Sequence, residues 1–192
     1  VLVPGSYVFA RKDFPGKEIL FYLVAATLFY PAIMLIVPLT INFTRVGLYN
    51  SLIGVCVGLQ TFVLPFSFWL MRGYFSNLPA NLEEAAMVYG CTDFGAFFRV
   101  LLPIARPAII AIGFLLFVGG WNDFLYSNML TATQSIKPST VILNMIVRGA
   151  ELVPWGGLMA STVLVMIVPV TMYTFSQWFL GGFSGLGAGT KG

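Results

Sequence analysis

Histidine is absent from this chain of 192 residues. That removes imidazole metal ligands, histidine general bases and histidine proton relays. Charge is scarce as well: Asp, Glu, Lys and Arg make up 9% of the residues, against about 25% in an average soluble domain. So short a chain with so few charges cannot cover a water-facing surface, and the lipid bilayer must be its main solvent. Cys56 sits in an apolar segment and Cys91 in a loop; their spacing fits no metal or redox motif, and no disulfide is expected. There is no basic run of the kind that binds nucleic acid, so the net charge of +3 reads as topology bias. The chain also lacks a nucleophile–base pair, a glycine-rich phosphate loop with its lysine and a cluster of metal ligands. No catalytic residue, metal or cofactor is expected.

What is present is apolar: 58% hydrophobic residues with a mean hydropathy of +0.90. Uncharged runs separate Glu18 from Arg45, Arg45 from Arg72, Arg106 from Asp123, and Glu151 from Lys191. A spanning helix needs about 20 mainly apolar residues. These runs predict spans near 18–41, 50–72, 106–128 and 157–180, the third continuing past Asp123 to reach full length. Residues 1–10 read as the tail of an earlier span. The chain opens at Val1 with no initiator Met and no charged leader. This is not a signal peptide, and an upstream portion is expected.

The spans must be helices, because an open sheet would strand backbone polar groups in lipid. The fold class is therefore all-α, a polytopic membrane helix bundle, forming a single transmembrane domain over 1–192 that is N-terminally incomplete. Pro31, Pro38, Pro65 and Pro169 lie inside spans and predict kinks. Gly54 and Gly58 form a small-xxx-small pair that allows close helix packing. Packing within the bundle or against a different partner subunit is the plainer reading and a homodimer contact the other.

Three connections stand out. Residues 73–105 make a large loop, 129–156 a long loop on the opposite side, and 181–192 a glycine-rich tail that should be extended unless a partner orders it. Arg11, Lys12, Lys17, Arg72, Arg99, Arg106 and Lys191 fall on one side of the predicted spans; Arg45, Lys137 and Arg148 fall on the other. The excess of Lys and Arg places loop 73–105 and the C-terminus in the cytoplasm.

Loop 73–105 reads as two short amphipathic helices broken at Gly90. Pro79 suits a first turn, and Leu78, Leu82, Ala85, Ala86 and Tyr89 recur as one apolar stripe, with Glu83 and Glu84 off it. Gly90 can take the left-handed conformation that ends a helix. Thr92 is an N-cap for the second helix, with Asp93 near its positive end. Phe94, Phe97, Phe98 and Leu101 form the second stripe, which Pro103 ends. One reading is a docking element for a soluble partner. The other is a helix lying on the membrane, against which the two glutamates speak, since interfacial helices favour basic polar faces.

Glu84, Ala85, Ala86 and Gly90, followed by Val100, Leu102 and Pro103, match position by position a motif that resembles the signature loop of permease subunits in bacterial ABC importers. Val100 stands where Ile is usual. Tyr89, Gly90 and Cys91 stand where many carbohydrate permeases read Asp-Gly-Ala. The stretch from Ser6 to Lys17, with Ala10, Arg11, Phe14, Pro15 and Gly16, resembles the end of the second span in maltose-type permease subunits. Trp121, Asn122 and Asp123 are similar to an element late in the fifth span of that group. The stretch from Phe179 to Gly192 resembles its glycine-rich tail.

The resemblance implies a type I ABC importer permease-like fold and a subunit that translocates a sugar or oligosaccharide delivered by an external binding protein. Its partners would be a second permease subunit, a dimer of ABC ATPases that binds the ATP, the extracytoplasmic substrate-binding protein and the bilayer of the cytoplasmic (inner) membrane. The seven motif residues would form the ATPase-coupling element. The alternatives are a permease of another importer branch, for amino acids or phosphate, or a fragment of a secondary transporter. The latter should carry intramembrane charges, and the spans here are nearly free of them. For Trp121, Asn122 and Asp123 two readings stand: a pathway-lining site, with Trp stacking on sugar, or an aromatic-belt residue with interhelical hydrogen bonds.

The charge asymmetry generates a direct test. With Cys56 and Cys91 removed, a cysteine replacing Asn81 should resist an impermeant maleimide in intact cells and react after lysis. Labelling of intact cells would reverse the orientation.

Overall fold

The computed structural model describes residues 2–149 and 154–187, with side chains through Leu180. In chain order the elements are α1 (Leu2–Arg11), α2 (Lys17–Ala26) continuing into a 3-10 turn (Thr27–Phe29), α3 (Ala32–Arg45), α4 (Leu52–Asn77), α5 (Asn81–Val88) and α6 (Asp93–Ala96). A π turn (Phe97–Leu101) then leads into α7 (Leu102–Ile104), α8 (Arg106–Trp121), α9 (Leu125–Leu130), α10 (Ser139–Gly149) and α11 (Trp155–Gly187). No strand occurs among the described residues. The chain is all-α, as its composition requires.

The central helix is α4, which packs against α1, α2, α3, α8 and α9. Its N-terminus is held by Ser51, whose hydroxyl accepts from Gly54 N at 3.0 Å. It runs the full 26 residues through Pro65 without breaking. Two buried clusters sit at its two ends. One gathers Tyr7, Met71, Phe75, Phe97, Leu101, Ala105 and Ile112. The other gathers Ile36, Phe43, Val55, Tyr126 and Leu130.

Two of the expected spans are not continuous. Over 18–41 the chain bends by 105° between Phe29 and Ala32. Pro31 has no N–H and its ring disfavours the helical conformation at the residue before it; Tyr30 accordingly has φ −79°, ψ 127°. The expected 106–128 helix stops at Trp121 and resumes as α9. At its other end, α8 meets the 93–104 segment at 71°. Proline at 103 and 107 removes two donors around this bend, and the Tyr74 hydroxyl donates to Ile104 O at 3.3 Å. Among the described residues, Leu52–Asn77 and Trp155–Leu180 are long and apolar enough to cross a membrane alone, and each bent pair can count as one more span.

Two connections are more ordered than their sequence predicts. The 129–156 stretch contains the α10 helix, with residues 150–153 outside the described range. The backbone of 181–187 continues α11 where an extended tail is predicted; extending an existing helix gains one bond per residue fixed, with no new nucleus. Residues 188–192 lie outside the described range.

The Gly54–Gly58 pair works within the chain. A Cβ on Gly54 would lie 1.9 Å from Leu48 O, and one on Gly58 2.5 Å from Leu130 Cδ1. The turn that α4 packs against is latched by Asn50, a non-glycine residue at φ 56°. Its side chain accepts from Ala132 N (2.9 Å) and Thr133 N (2.8 Å) and donates to Thr133 Oγ1 (2.8 Å). A methyl at Gly54 meets a backbone atom that cannot step aside. Gly54→Ala should therefore lower the melting temperature of the detergent-solubilised protein, at a cost of about 1–3 kcal/mol for overpacking. Gly113→Ala, where a Cβ meets open space, should leave it unchanged.

Candidate functional site

The signature loop begins where α4 ends at Leu78. Pro79 and Ala80 turn the chain, and α5 starts with Glu83 and Glu84 in its first turn, where carboxylates favour the positive end of the helix dipole. The helix closes in a complete Schellman motif: Cys91 N donates to Ala86 O (3.0 Å) and Gly90 N to Met87 O (2.9 Å), with Gly90 at φ 84°. Glycine is the residue that adopts this conformation without strain. Thr92 then caps α6, its hydroxyl accepting from Gly95 N at 3.2 Å. The break at Gly90 and the cap at Thr92 stand where the sequence predicts them.

The apolar stripe does not. Leu78 and Leu82 pack against the buried core of the bundle, and Ala86 is 6% exposed. Ala86 thus allows close approach to the bundle, leaving Ala85 as the small residue that faces outward. The second stripe divides the same way: Phe97 and Leu101 are buried, whereas Phe94 and Phe98 are exposed. The outward surface is made instead of Glu84, Ala85, Val88 (84% exposed), Tyr89 (88%) and Phe94 (78%). Reading both stripes as single faces failed because each short helix has two apolar faces, and spacing cannot say which one the core takes. Of the rest of the motif, Gly90 is exposed, Val100 and Leu102 are half-buried with Leu102 against the core, and Pro103 sits at the bend into α8.

Sequence reasoning missed the polar contacts that hold this loop. Glu83 accepts a hydrogen bond from the Tyr7 hydroxyl (2.6 Å) and lies 3.6 Å from Arg11 Nε. Arg11 Nη2 donates to Leu78 O, and Lys12 Nζ is 2.8 Å from Asp93 Oδ2. All of these reach the loop from the C-terminal half of α1 and the residue that follows it. The signal available was the Arg11–Lys12 doublet and the Glu83, Glu84 and Asp93 carboxylates, predicted on one side of the membrane. Nearby, Arg72 bonds Glu18 (3.1 Å) and covers the Phe21 ring at 3.8 Å.

Trp121, Asn122 and Asp123 lie at the opposite end, where α8 stops. The Asp123 carboxylate accepts from Ser127 N (2.8 Å) and Tyr126 N (3.4 Å), capping α9. Asp123 O accepts from Thr140 Oγ1 at 2.8 Å, tying in α10. Trp121 lies against Phe117, ring centroids 5.4 Å apart, and Asn122 is exposed. A cavity of about 360 Å³ opens beside the Tyr30–Pro31 break, lined by Tyr30, Thr61, Phe62, Phe66, Gly119 and Tyr126 among others. A proline-interrupted span is the sequence signal that points to such a place.

A family model described as "binding-protein-dependent transport system inner membrane component" matches residues 3–181. The chain belongs to this family. As a binding-protein-dependent inner membrane component it has relatives among curated proteins. A probable ABC transporter permease protein of Pyrococcus horikoshii is 34% identical over 94% of this chain and 66% of its own length. A diacetylchitobiose uptake system permease protein of Streptomyces coelicolor is 38% identical over 67% of this chain and 43% of its own. A trehalose transport system permease protein of Mycobacterium tuberculosis is 29% identical over 88% and 62%. The chain thus spans under two thirds of the length of these relatives. A solved bacterial ABC transporter, involved in the import of the acidic polysaccharide alginate, contains a chain that aligns with a TM-score of 0.74 at 26% identity. The alignment covers 93% of this chain and 67% of that one.

The Asp123 geometry makes its own prediction. Asp123→Ala removes the cap and should destabilise the protein by about 1 kcal/mol. Asp123→Asn keeps an acceptor and should retain most of that stability in a thermal melt.

Proposed function

We propose that this chain is a permease subunit of an ABC importer that moves a sugar or oligosaccharide, and that loop 73–105 docks the ATPase. The observation that carries the reading is the outward surface of the loop. Ala85, Val88, Tyr89 and Phe94 stand exposed around a rigid glycine turn, on a segment joined to the bundle at both ends. Exposed apolar groups gathered in this way mark a site of association. The membrane assignment rests on the family and the apolar helices. The sugar assignment draws on relatives named for the uptake of diacetylchitobiose and trehalose.

In this mechanism an extracytoplasmic binding protein delivers the substrate and a second permease subunit completes the path. A pair of ATPases binds and hydrolyses ATP, so this subunit needs no catalytic group and no cofactor of its own. Loop 73–105 and the C-terminus lie in the cytoplasm, in keeping with the Lys and Arg excess on that side. ATP-driven closure of the ATPases drives transport by favouring one loop position over another; equal affinity for both positions would move nothing. Among Glu84, Ala85, Ala86, Gly90, Val100, Leu102 and Pro103, the exposed Glu84 and Ala85 touch the ATPase. Ala86, Gly90, Leu102 and Pro103 set the shape of the loop, and Val100 stands between these roles. Trp121 and Asn122 line the outer part of the path. The Asp123 carboxylate serves the α9 cap.

Two substitutions test the docking surface in the reconstituted complex. Gly90→Val places a β-branched residue at φ 84° and Ala85→Leu adds bulk on the outward face. Both proteins should reach the membrane. Each should lose ATPase co-purification or lower substrate-stimulated ATP hydrolysis about tenfold, since backbone strain of this kind costs about 1–3 kcal/mol. Normal assembly and stimulation in both would remove the loop from the coupling path.

A further inference from the structure

Glu83 and Glu84 are neighbours on α5 but face opposite ways. The Glu84 side chain is exposed, whereas that of Glu83 retains 13% of its accessibility. A carboxylate so enclosed needs hydrogen-bonded compensation to remain ionised. Among the described residues its compensation comes from the C-terminal half of α1: the Tyr7 hydroxyl at 2.6 Å from Oε1 and Arg11 Nε at 3.6 Å from Oε2. Arg11 also donates to Leu78 O at the end of α4, and Lys12 pairs with Asp93 at the start of α6. The C-terminal half of α1 and the residue after it therefore grip the end of α4, α5 and α6 together.

We propose that Glu83 is a positioning residue, a pin that forces α1 to follow the loop when the loop moves; the proposal rests on the reading of loop 73–105 as the ATPase-docking element. The apolar contacts of Leu82 and Phe97 with the core are non-directional and would let α5 slide over α1. A hydrogen bond to a carboxylate sets a register as well as an attraction. Displacing α5 without α1 would leave a charge half-buried and unpaired, which costs more than the bond itself contributes. The pin also has room for a second arrangement. Arg11 Nε is buried with no hydrogen-bond partner, and its 3.6 Å separation from Oε2 is one short step beyond bonding range. A shift of α5 toward α1 by well under 1 Å would complete that bond. That second arrangement would give the ion pair the two states that a coupling element requires.

The test uses the whole complex, with both permease subunits, the ATPase and the binding protein, in proteoliposomes. Glu83→Ala should leave ATPase co-purification and basal hydrolysis intact and lower the ratio of stimulated to basal hydrolysis about tenfold, the factor carried by one lost charge-assisted hydrogen bond. Glu83→Gln, which keeps an acceptor for Tyr7, should fall between this variant and the parent. Tyr7→Phe removes a single hydroxyl without altering packing and should also lower the ratio. Should Glu83→Ala fail to assemble, Tyr7→Phe decides: a lowered ratio supports the pin, and a parental ratio overturns it. Parental ratios in assembled Glu83→Ala likewise overturn it. A cysteine at Val88 that crosslinks to the ATPase in the parent complex keeps the two ideas apart. Without that crosslink the docking reading falls; with it, a silent Glu83→Ala removes the pin alone.

Discussion

Backbone N–H and C=O groups in lipid have no water to bond, so every interruption of a helix must be repaired by the protein itself. The rest of this structure follows from how those repairs are made. At the bend between α7 and α8 the Tyr74 hydroxyl reaches Ile104 O. Where α8 stops, the Asp123 carboxylate takes up the first N–H groups of α9. At the turn before α4, the Asn50 side chain accepts from Ala132 N and Thr133 N and donates to Thr133 Oγ1. The Tyr74 and Asn50 repairs are also ties between distant stretches of chain, so the need to satisfy the backbone doubles as a source of tertiary order.

Helix α4 has two well-packed ends and a looser middle. The cluster around Phe75 and Phe97 holds the signature loop to α1, and the cluster around Tyr126 and Leu130 holds α3 and α9. Between them, along Thr61 to Ser67 of α4, lies the cavity beside the Tyr30–Pro31 break. Tight packing at the ends and space at the middle fit the proposed role of the loop, in which the ends transmit displacement while the centre accommodates change. Proline supplies the break, and Gly58 lets Leu130 of the second cluster close against α4, where an added Cβ would lie 2.5 Å from Leu130 Cδ1.

In the signature loop, one short motif serves two surfaces. Ala86 and Leu102 belong to the permease core, Glu84 and Ala85 to the outside, and Gly90 to the geometry that separates them. The loop is therefore neither a free docking peptide nor a passive connection. Its inner face is packed and pinned to α1, and its outer face is bare.

Much of this was legible in the residues alone. The scarcity of charge required a membrane protein, the runs between charges located the apolar segments, and Gly90 and Thr92 marked the ends of the two short helices. These features depend on composition and on contacts a few residues apart, which sequence states directly. The motif around Glu84 identified the family for the same reason: its residues are consecutive or nearly so. Sequence alone could not decide which face of each short helix turns inward, because Ala85 and Ala86 offer equal credentials and the core chooses between them. It could not show that Glu83 meets Tyr7 and Arg11, or that Asn50 meets Thr133, because those pairs are brought together by the packing of α1 and α9 on α4. The sharpness of the Tyr30–Pro31 and Ala105 bends was likewise beyond it. Proline permits a helix to continue, as at Pro65, or to break, as at Pro31, and the neighbouring elements determine which occurs.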